Sequence, residues 1–153
     1  MLNQKNNRQL TAPIKIRSSH QSDLRFVCAL SRRNMEKYTK EIWGDWDGPR
    51  FKTSLNLKRL KLIIKNGRRA GFFDVENKGK ESYLHNIQLS RPLQGKGLGK
   101  MLMSKIEATE KKAGTKKIVA SVFKNNPAKE FYKKIGYKII KQEKGVLTIV
   151  KDL

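Results

Sequence analysis

Apolar positions along this chain change period several times, and each change marks an element. Over Ala12–Arg17 apolar and basic residues alternate, the two-residue period of a half-buried strand. From Asp23 to about Ile42 the period lengthens. Leu24, Val27, Cys28, Leu30 and Met35 recur at helical spacing there, and Ser22 stands where a cap would. The run from Trp43 to Trp46 and on to Pro49 breaks that helix, and Pro49 opens a short second one over Pro49–Asn56. Three strands are predicted next, Leu60–Lys65, Ala70–Glu76 and Ser82–Leu89. They are separated by Asn66-Gly67 and by Asn77-Lys78-Gly79, turn chemistry that pairs neighbours antiparallel.

Gly97–Ala113 returns to helical spacing, with Leu98, Met101, Leu102 and Ile106 on one side and Gly114 as its stop. Lys117–Phe123 reads as a strand, Pro127–Ile135 as a helix ended by Gly136, and Tyr137–Lys141 with Val146–Lys151 as a hairpin around Lys144-Gly145. The order β-α-α-β-β-β-α-β-α-β-β predicts an α/β domain, a mixed central sheet with helices on both faces.

At 153 residues the chain suits one domain over 12–153, with residues 1–11 expected as a flexible polar tail. Thirty-five Lys and Arg against 13 acids give a formal charge of +22, a field that attracts polyanions such as nucleic acid, anionic lipid or phosphorylated cofactors. The lysines are spread rather than blocked, so solvated faces account for them equally well. One cysteine, Cys28, excludes an internal disulfide, and two separated histidines leave no metal-ligand spacing; no metal is expected. No apolar run approaches a membrane span, and Met1–Leu10 is too polar for a signal peptide. A cytoplasmic protein without membrane contact, monomer or homodimer, is the expectation.

The chemistry concentrates in Gln94-Gly-Lys-Gly-Leu-Gly-Lys100, between a predicted strand and the longest central helix. Free N–H groups and the dipole at a helix start attract an anion, and glycines let a phosphate approach the backbone. Two phosphate motifs fail here. A Walker A loop would need Gly at Gln94 and Ser or Thr at Met101; a dinucleotide fingerprint would need Gly at Lys100 and an acid about 20 residues on.

What remains is Gln-x-x-Gly-x-Gly, filled by Gln94, Gly97 and Gly99, and here the chain resembles the GNAT N-acetyltransferase superfamily. A second segment, Asn125-Asn-Pro-Ala128-Lys-Glu-Phe131-Tyr132-Lys-Lys-Ile-Gly136-Tyr137, is similar to that family's Asn-x-x-Ala-x-x-[Leu/Phe]-Tyr-x-x-x-Gly-[Phe/Tyr] at every fixed position. The segment around Trp43 and Trp46 also resembles small bacterial members. The likeness implies a GNAT fold of about seven strands and four helices, with the fourth and fifth strands splayed. It implies acetyl-CoA as cosubstrate, its pyrophosphate on the loop Gly95, Lys96, Gly97, Leu98, Gly99 and Lys100. Its pantetheine would pair with the backbone of Ile87, Gln88 and Leu89. Asn125 would hydrogen-bond near the arm, though a capping role suits it too, in competition with Asn126. Tyr132 would protonate the departing thiolate, a task a phenol can perform.

The incoming amine must lose a proton, and the predicted fifth strand carries no carboxylate. Ala120 stands where members that acetylate an N-terminal alanine often have Glu, which argues against that activity. Strand alternation puts Glu81, Tyr83, His85 and Ile87 on one face, making His85 the candidate base, with Glu81 a weaker one. Glu41, Trp43 and Trp46, with Asp45 and Asp47 beside them, are candidates for an acceptor pocket that attracts an ammonium group. Direct attack of a primary amine, on a small molecule or a peptide or protein, is the expected reaction. A second reading keeps the scaffold and drops the chemistry: a basic nucleic-acid or ribosome-associated binding module, or a hybrid acetylating a ribosomal protein or tRNA. It rests on the charge and on pairs such as Lys111-Lys112, without the interleaved aromatics of single-strand readers.

Overall fold

The computed structural model describes residues 13–153; residues 1–11, expected as a tail, lie outside them. The chain runs β1 (Ile14–Ser18), α1 (Leu24–Ile42), α2 (Gly48–Ser54), β2 (Leu60–Lys65), β3 (Arg68–Asn77), β4 (Glu81–Leu89), α3 (Leu98–Lys112), β5 (Lys117–Phe123), α4 (Ala128–Lys134), β6 (Lys138–Glu143) and β7 (Val146–Asp152). The described strands form one sheet in the order β1-β2-β3-β4-β5-β7-β6. Every neighbouring pair is antiparallel except β4–β5. This is the α/β mixed sheet expected from the element order. The hairpin turns form because both central residues take positive φ, Asn66 at 52° with Gly67 at 70°, and Lys144 at 48° with Gly145 at 78°. Turns of that kind twist with the strands they join.

Each face of the sheet has its own core. Leu102, Met103 and Ile106 of α3 and Tyr132 of α4 pack on one face against Ile63, Phe73, Leu84, Ile118 and Ile149. Val27 and Leu30 of α1 pack on the other against Leu60, Leu62 and Phe72, with Phe51 of α2 at the margin. Phe72 and Phe73, adjacent in β3, anchor the two cores in turn, as the strand period requires.

Ser22 does not cap α1. A 3-10 turn, Gln21–Asp23, precedes the helix, and the fully buried Asp23 carboxylate accepts from His20 N–H at 2.8 Å. It also accepts from Arg17 of β1 (2.8 Å through each terminal nitrogen) and from Arg69 of β3 (2.7 Å). One acid therefore ties two strands to the start of the helix, and its arginine and backbone donors hold it well below the usual carboxylate range. In α2 the cap is Asp47, which accepts from Arg50 N–H at 3.0 Å.

The fit of β3 against β4 departs from a regular ladder in two places. Gly71 lies so close to β4 that a Cβ there would stand 2.3 Å from the Gln88 carbonyl oxygen. The register then slips, pairing Asp74 with Asn86 but Val75 with Leu84, so His85 is one residue too many. This bulge corrects the expected alternation. Tyr83 and His85 stay on the α1 side, while Ile87 crosses to pack with Leu84 in the α3 core.

Candidate active site

β4 and β5 run parallel for four registered pairs, Glu81–Lys117 to Leu84–Ala120, and then part. The closed end is pinned: Ser82 Oγ lies 2.8 Å from Thr115 Oγ1 and 2.5 Å from Glu110 Oε2, and Lys117 pairs with Glu81 at 3.0 Å. Beyond Leu84 the two strands form the arms of a V. Ser90 N–H bonds Ala70 O, and the Gln88 carbonyl lies against Gly71, so those groups face β3. By strand alternation Ile87 and Leu89 turn their N–H and C=O groups into the gap. Gln88 therefore differs from the expectation. Its backbone belongs to the β3 ladder, and its side chain accepts from Asn34 and donates to Asn86.

The helix α1 crosses the mouth of the V and touches both arms. Asn34 Nδ2 donates to Leu89 O at 3.0 Å and to Gln88 Oε1 at 3.1 Å on the β4 arm. Seven residues on, Glu41 Oε2 accepts from Asn125 Nδ2 at 2.7 Å, just past the end of β5. Seven residues of helix rise about 10 Å. Two strand spacings are about 9.6 Å, so the two contacts stand about that far apart along α1. Asn34 is absent from the candidates read in the sequence. The available signal was the stripe Val27, Leu30, Asn34, Tyr38, Glu41, which turns from apolar to polar where the helix leaves the sheet.

At the outer end of the β4 arm, Gln94 Nε2 donates to Leu89 O at 2.9 Å and folds the loop back on the strand. With Asn34 it uses both lone pairs of that carbonyl. Gly95 and Gly97 take positive φ, 73° and 81°, and among the described residues nothing beyond their chain neighbours lies within 4 Å of where their Cβ atoms would stand. Gly97 caps α3 without a side-chain acceptor, and the first turn contains no acid. The first intrahelical bond is Met101 N–H to Gly97 O, so the N–H groups of Leu98, Gly99 and Lys100 have no acceptor in the helix. Lys96 and Lys100 add exposed cations. Gly99 serves a different purpose: its Cα faces Phe131, where a Cβ would sit at 3.4 Å, docking α4 against α3. An open, uncapped, acid-free helix start flanked by lysines fits a diphosphate.

Asn126, not Asn125, caps the turn into α4, accepting from Ala128 N–H at 2.9 Å. That frees Asn125 to face Glu41 and leaves its Oδ1 buried without a hydrogen-bond partner among the described residues. Tyr132 is buried in α4, edge-on to Phe131 and Tyr137, and burial pushes its phenol up to about 12. His85 emerges directly after the last β4–β5 pair. Its Nε2 lies 3.2 Å from Glu76 Oε1, and its ring stacks on Tyr83. A carboxylate can only accept, so Nε2 carries the hydrogen and a neutral ring keeps Nδ1 as its basic atom. Glu76 is held below its ordinary range, first by that imidazole and then by Lys78 and Arg59. Glu81, the weaker base candidate, is occupied by Lys117 and Tyr83.

Trp43 is 68% exposed and sits edge-on against Phe123 at the end of β5, 4.7 Å between centroids, two residues from Glu41. Trp46 stands apart from it, on Phe51 of α2. Cys28 is half-buried in α1, and burial raises its thiol above the ordinary value. No helix of the described residues is long and apolar enough to cross a membrane.

Known proteins share this fold. The family model described as an acetyltransferase (GNAT) domain matches residues 59–139, from just before β2 into β6. Among solved structures the chain is similar to the PaiA N-acetyltransferase of Thermoplasma acidophilum in complex with coenzyme A. That match has TM-score 0.78 and 19% identity, over 92% of this chain and 99% of that one. It is also similar to the ribosomal-protein-S18-alanine N-acetyltransferase of Escherichia coli, TM-score 0.71, 19% identity, 92% and 94% covered. A third match is the N-acetylglutamate synthase of Neisseria gonorrhoeae complexed with coenzyme A and N-acetyl-glutamate, TM-score 0.73, 16% identity. It covers 93% of this chain but 35% of that one. At such identities the likeness lies in the fold.

Proposed function

Because the chain belongs to the GNAT acetyltransferase family, we propose that it transfers an acetyl group from acetyl-CoA directly to a primary amine. The observation that carries this reading is the V between β4 and β5, opening beside the uncapped start of α3. The loop from Gly95 to Lys100 would hold the diphosphate. Ile87 and Asn125 would receive the amides of the pantetheine arm, the buried Asn125 Oδ1 supplying an acceptor that needs a donor. Leu89 would contribute its N–H, its carbonyl being engaged by Asn34 and Gln94. Bound acetyl-CoA supplies an acetyl thioester.

The remaining work falls to side chains of this chain. His85, oriented by Glu76, would take a proton at Nδ1 from the incoming ammonium group. Burial raises the Tyr132 phenol to about 12, so near neutral pH it holds its proton and can donate it. The dry surroundings that raise the phenol would raise a thiol in the same pocket, so proton transfer to a leaving thiolate is not opposed by burial. Glu41 and Trp43 border the other side of the V mouth, a carboxylate and an aromatic face that attract an ammonium.

Calorimetric titration with acetyl-CoA, followed by thiol release against a panel of primary amines, tests this. Gly97 is a poor probe, since any side chain at φ 81° is strained. Lys100 sits in the first turn of α3, where Glu is compatible with the helix, so Lys100→Glu probes the anion site without backbone strain. Saturable binding by the wild type, weakened about tenfold or more by Lys100→Glu, is expected. A wild type that does not bind acetyl-CoA would overturn the reading.

A further inference from the structure

Four of the cations behind the charge of +22 meet near the start of α1. On the α1 side of the sheet, at the β1 edge, lies a hollow of about 750 Å³ bordered by Lys15, Arg17, Arg68 and Arg69, with half-buried Phe26 and Ile64 as its apolar surface. The buried Asp23 holds two of these cations in place. Arg17 gives it both terminal nitrogens, whereas Arg69 gives only its Nε–H, keeping its two terminal amino groups for another acceptor. Lys15 and Arg68 have no ion-pair partner among the described residues. Two anchored guanidinium groups, two unpaired cations and an aromatic ring thus share one concave surface. That combination suits a ligand joining phosphate to a flat ring.

We propose that this hollow binds a nucleotide unit of single-stranded RNA, phosphate on Arg69, Arg68 and Lys15, base against Phe26. Phe26 and Glu41 are fifteen residues apart in α1, about 22 Å along the helix, so a strand seated here leaves the V mouth open. The site is independent of the transfer reaction, and its failure would leave the acetyltransferase assignment untouched.

The test is fluorescence anisotropy of a short labelled uridine-rich RNA with the full chain, at about 50 and 200 mM salt. The pair Lys15→Glu and Arg68→Glu reverses two charges that support no ion pair. The control pair Lys124→Glu and Lys138→Glu makes the same change in charge elsewhere. We expect the first double variant to lose about tenfold or more in affinity and to flatten the salt dependence by about one contact per residue, the control under about threefold. Equal losses in both would mean that the overall field alone binds RNA, and would sink the proposal; so would a wild type that shows no salt-dependent binding. Phe26→Leu keeps apolar bulk and removes the stacking face. It should weaken RNA about fivefold or more and leave competition by inorganic tripolyphosphate unchanged. An unaltered RNA affinity in that variant would make the hollow a phosphate site only and overturn the nucleotide assignment. Unchanged circular dichroism and thermal midpoints keep these comparisons interpretable.

Discussion

Single residues in this fold carry more than one duty, and two of them give sharp tests. Asp23 is buried, saturated by four donors and held ionised well below its ordinary range. A depressed folded value means that the stability it contributes is complete above the unfolded value, about 3.9. It drains away as pH falls below that toward the folded value. Asp23→Asn should therefore lower stability at pH 7 by about 2 kcal/mol, less than a fully buried pair because both arginines reach solvent. The gap in thermal midpoint between the two proteins should narrow as pH drops from about 5 to about 3. A gap constant over that range would show that the carboxylate's charge is not what stabilises. Tyr132 works in the opposite sense. Its phenol, raised to about 12 against about 10 when unfolded, contributes stability that is lost as pH rises through that interval. Tyr132→Phe should keep acetyl-CoA affinity and lower kcat about a hundredfold; an unchanged kcat would reduce the ring to packing.

Elements were legible where local chemistry decides them. Asn66-Gly67 and Lys144-Gly145 dictate their turns by backbone preference alone, and β2, β5 and the start of β7 fall where the apolar runs between turns put them. The bulge at His85 was not legible, because no glycine or proline marks it. It arises from how β3 and β4 fit, and it reverses the parity of everything after it. The parting of β4 and β5 was likewise invisible to periodicity, since both strands continue unbroken past Leu84 and Ala120. It entered only through the resemblance carried by Gln94, Gly97, Gly99 and Asn125. The bridging role of α1 depends on partners some fifty or eighty residues away, Leu89 for Asn34 and Asn125 for Glu41, and no local rule reaches that far. If α1 sets the width of the V, Asn34→Ala should raise Kd for acetyl-CoA about tenfold with little change in kcat once saturated. Glu41→Ala should act mainly on the acceptor's KM. Equal effects of both on acetyl-CoA alone would assign Glu41 to the cofactor side.

For the whole molecule, the V is a sheet left unfinished. Beyond Leu84 and Ala120 the inner edges of two central strands have no ladder partner among the described strands, an arrangement that folded sheets elsewhere avoid by closing or covering the edge. If acetyl-CoA binds in the V, the missing strand is lent from solution. Amide hydrogens of Ile87 and Leu89 should then exchange quickly in the free protein, while those of Ser82 and Ile118 at the pinned end stay protected. Saturating acetyl-CoA should slow the first set and leave the second unmoved; uniform slowing would point to a general tightening instead. A ligand that completes the sheet also holds the fold together, adding about 2.7 kcal/mol at about a hundredfold excess over Kd. The abundance of such a protein would then follow the supply of its cosubstrate, and a chain weakened by mutation would persist in well-fed cells and vanish in starved ones.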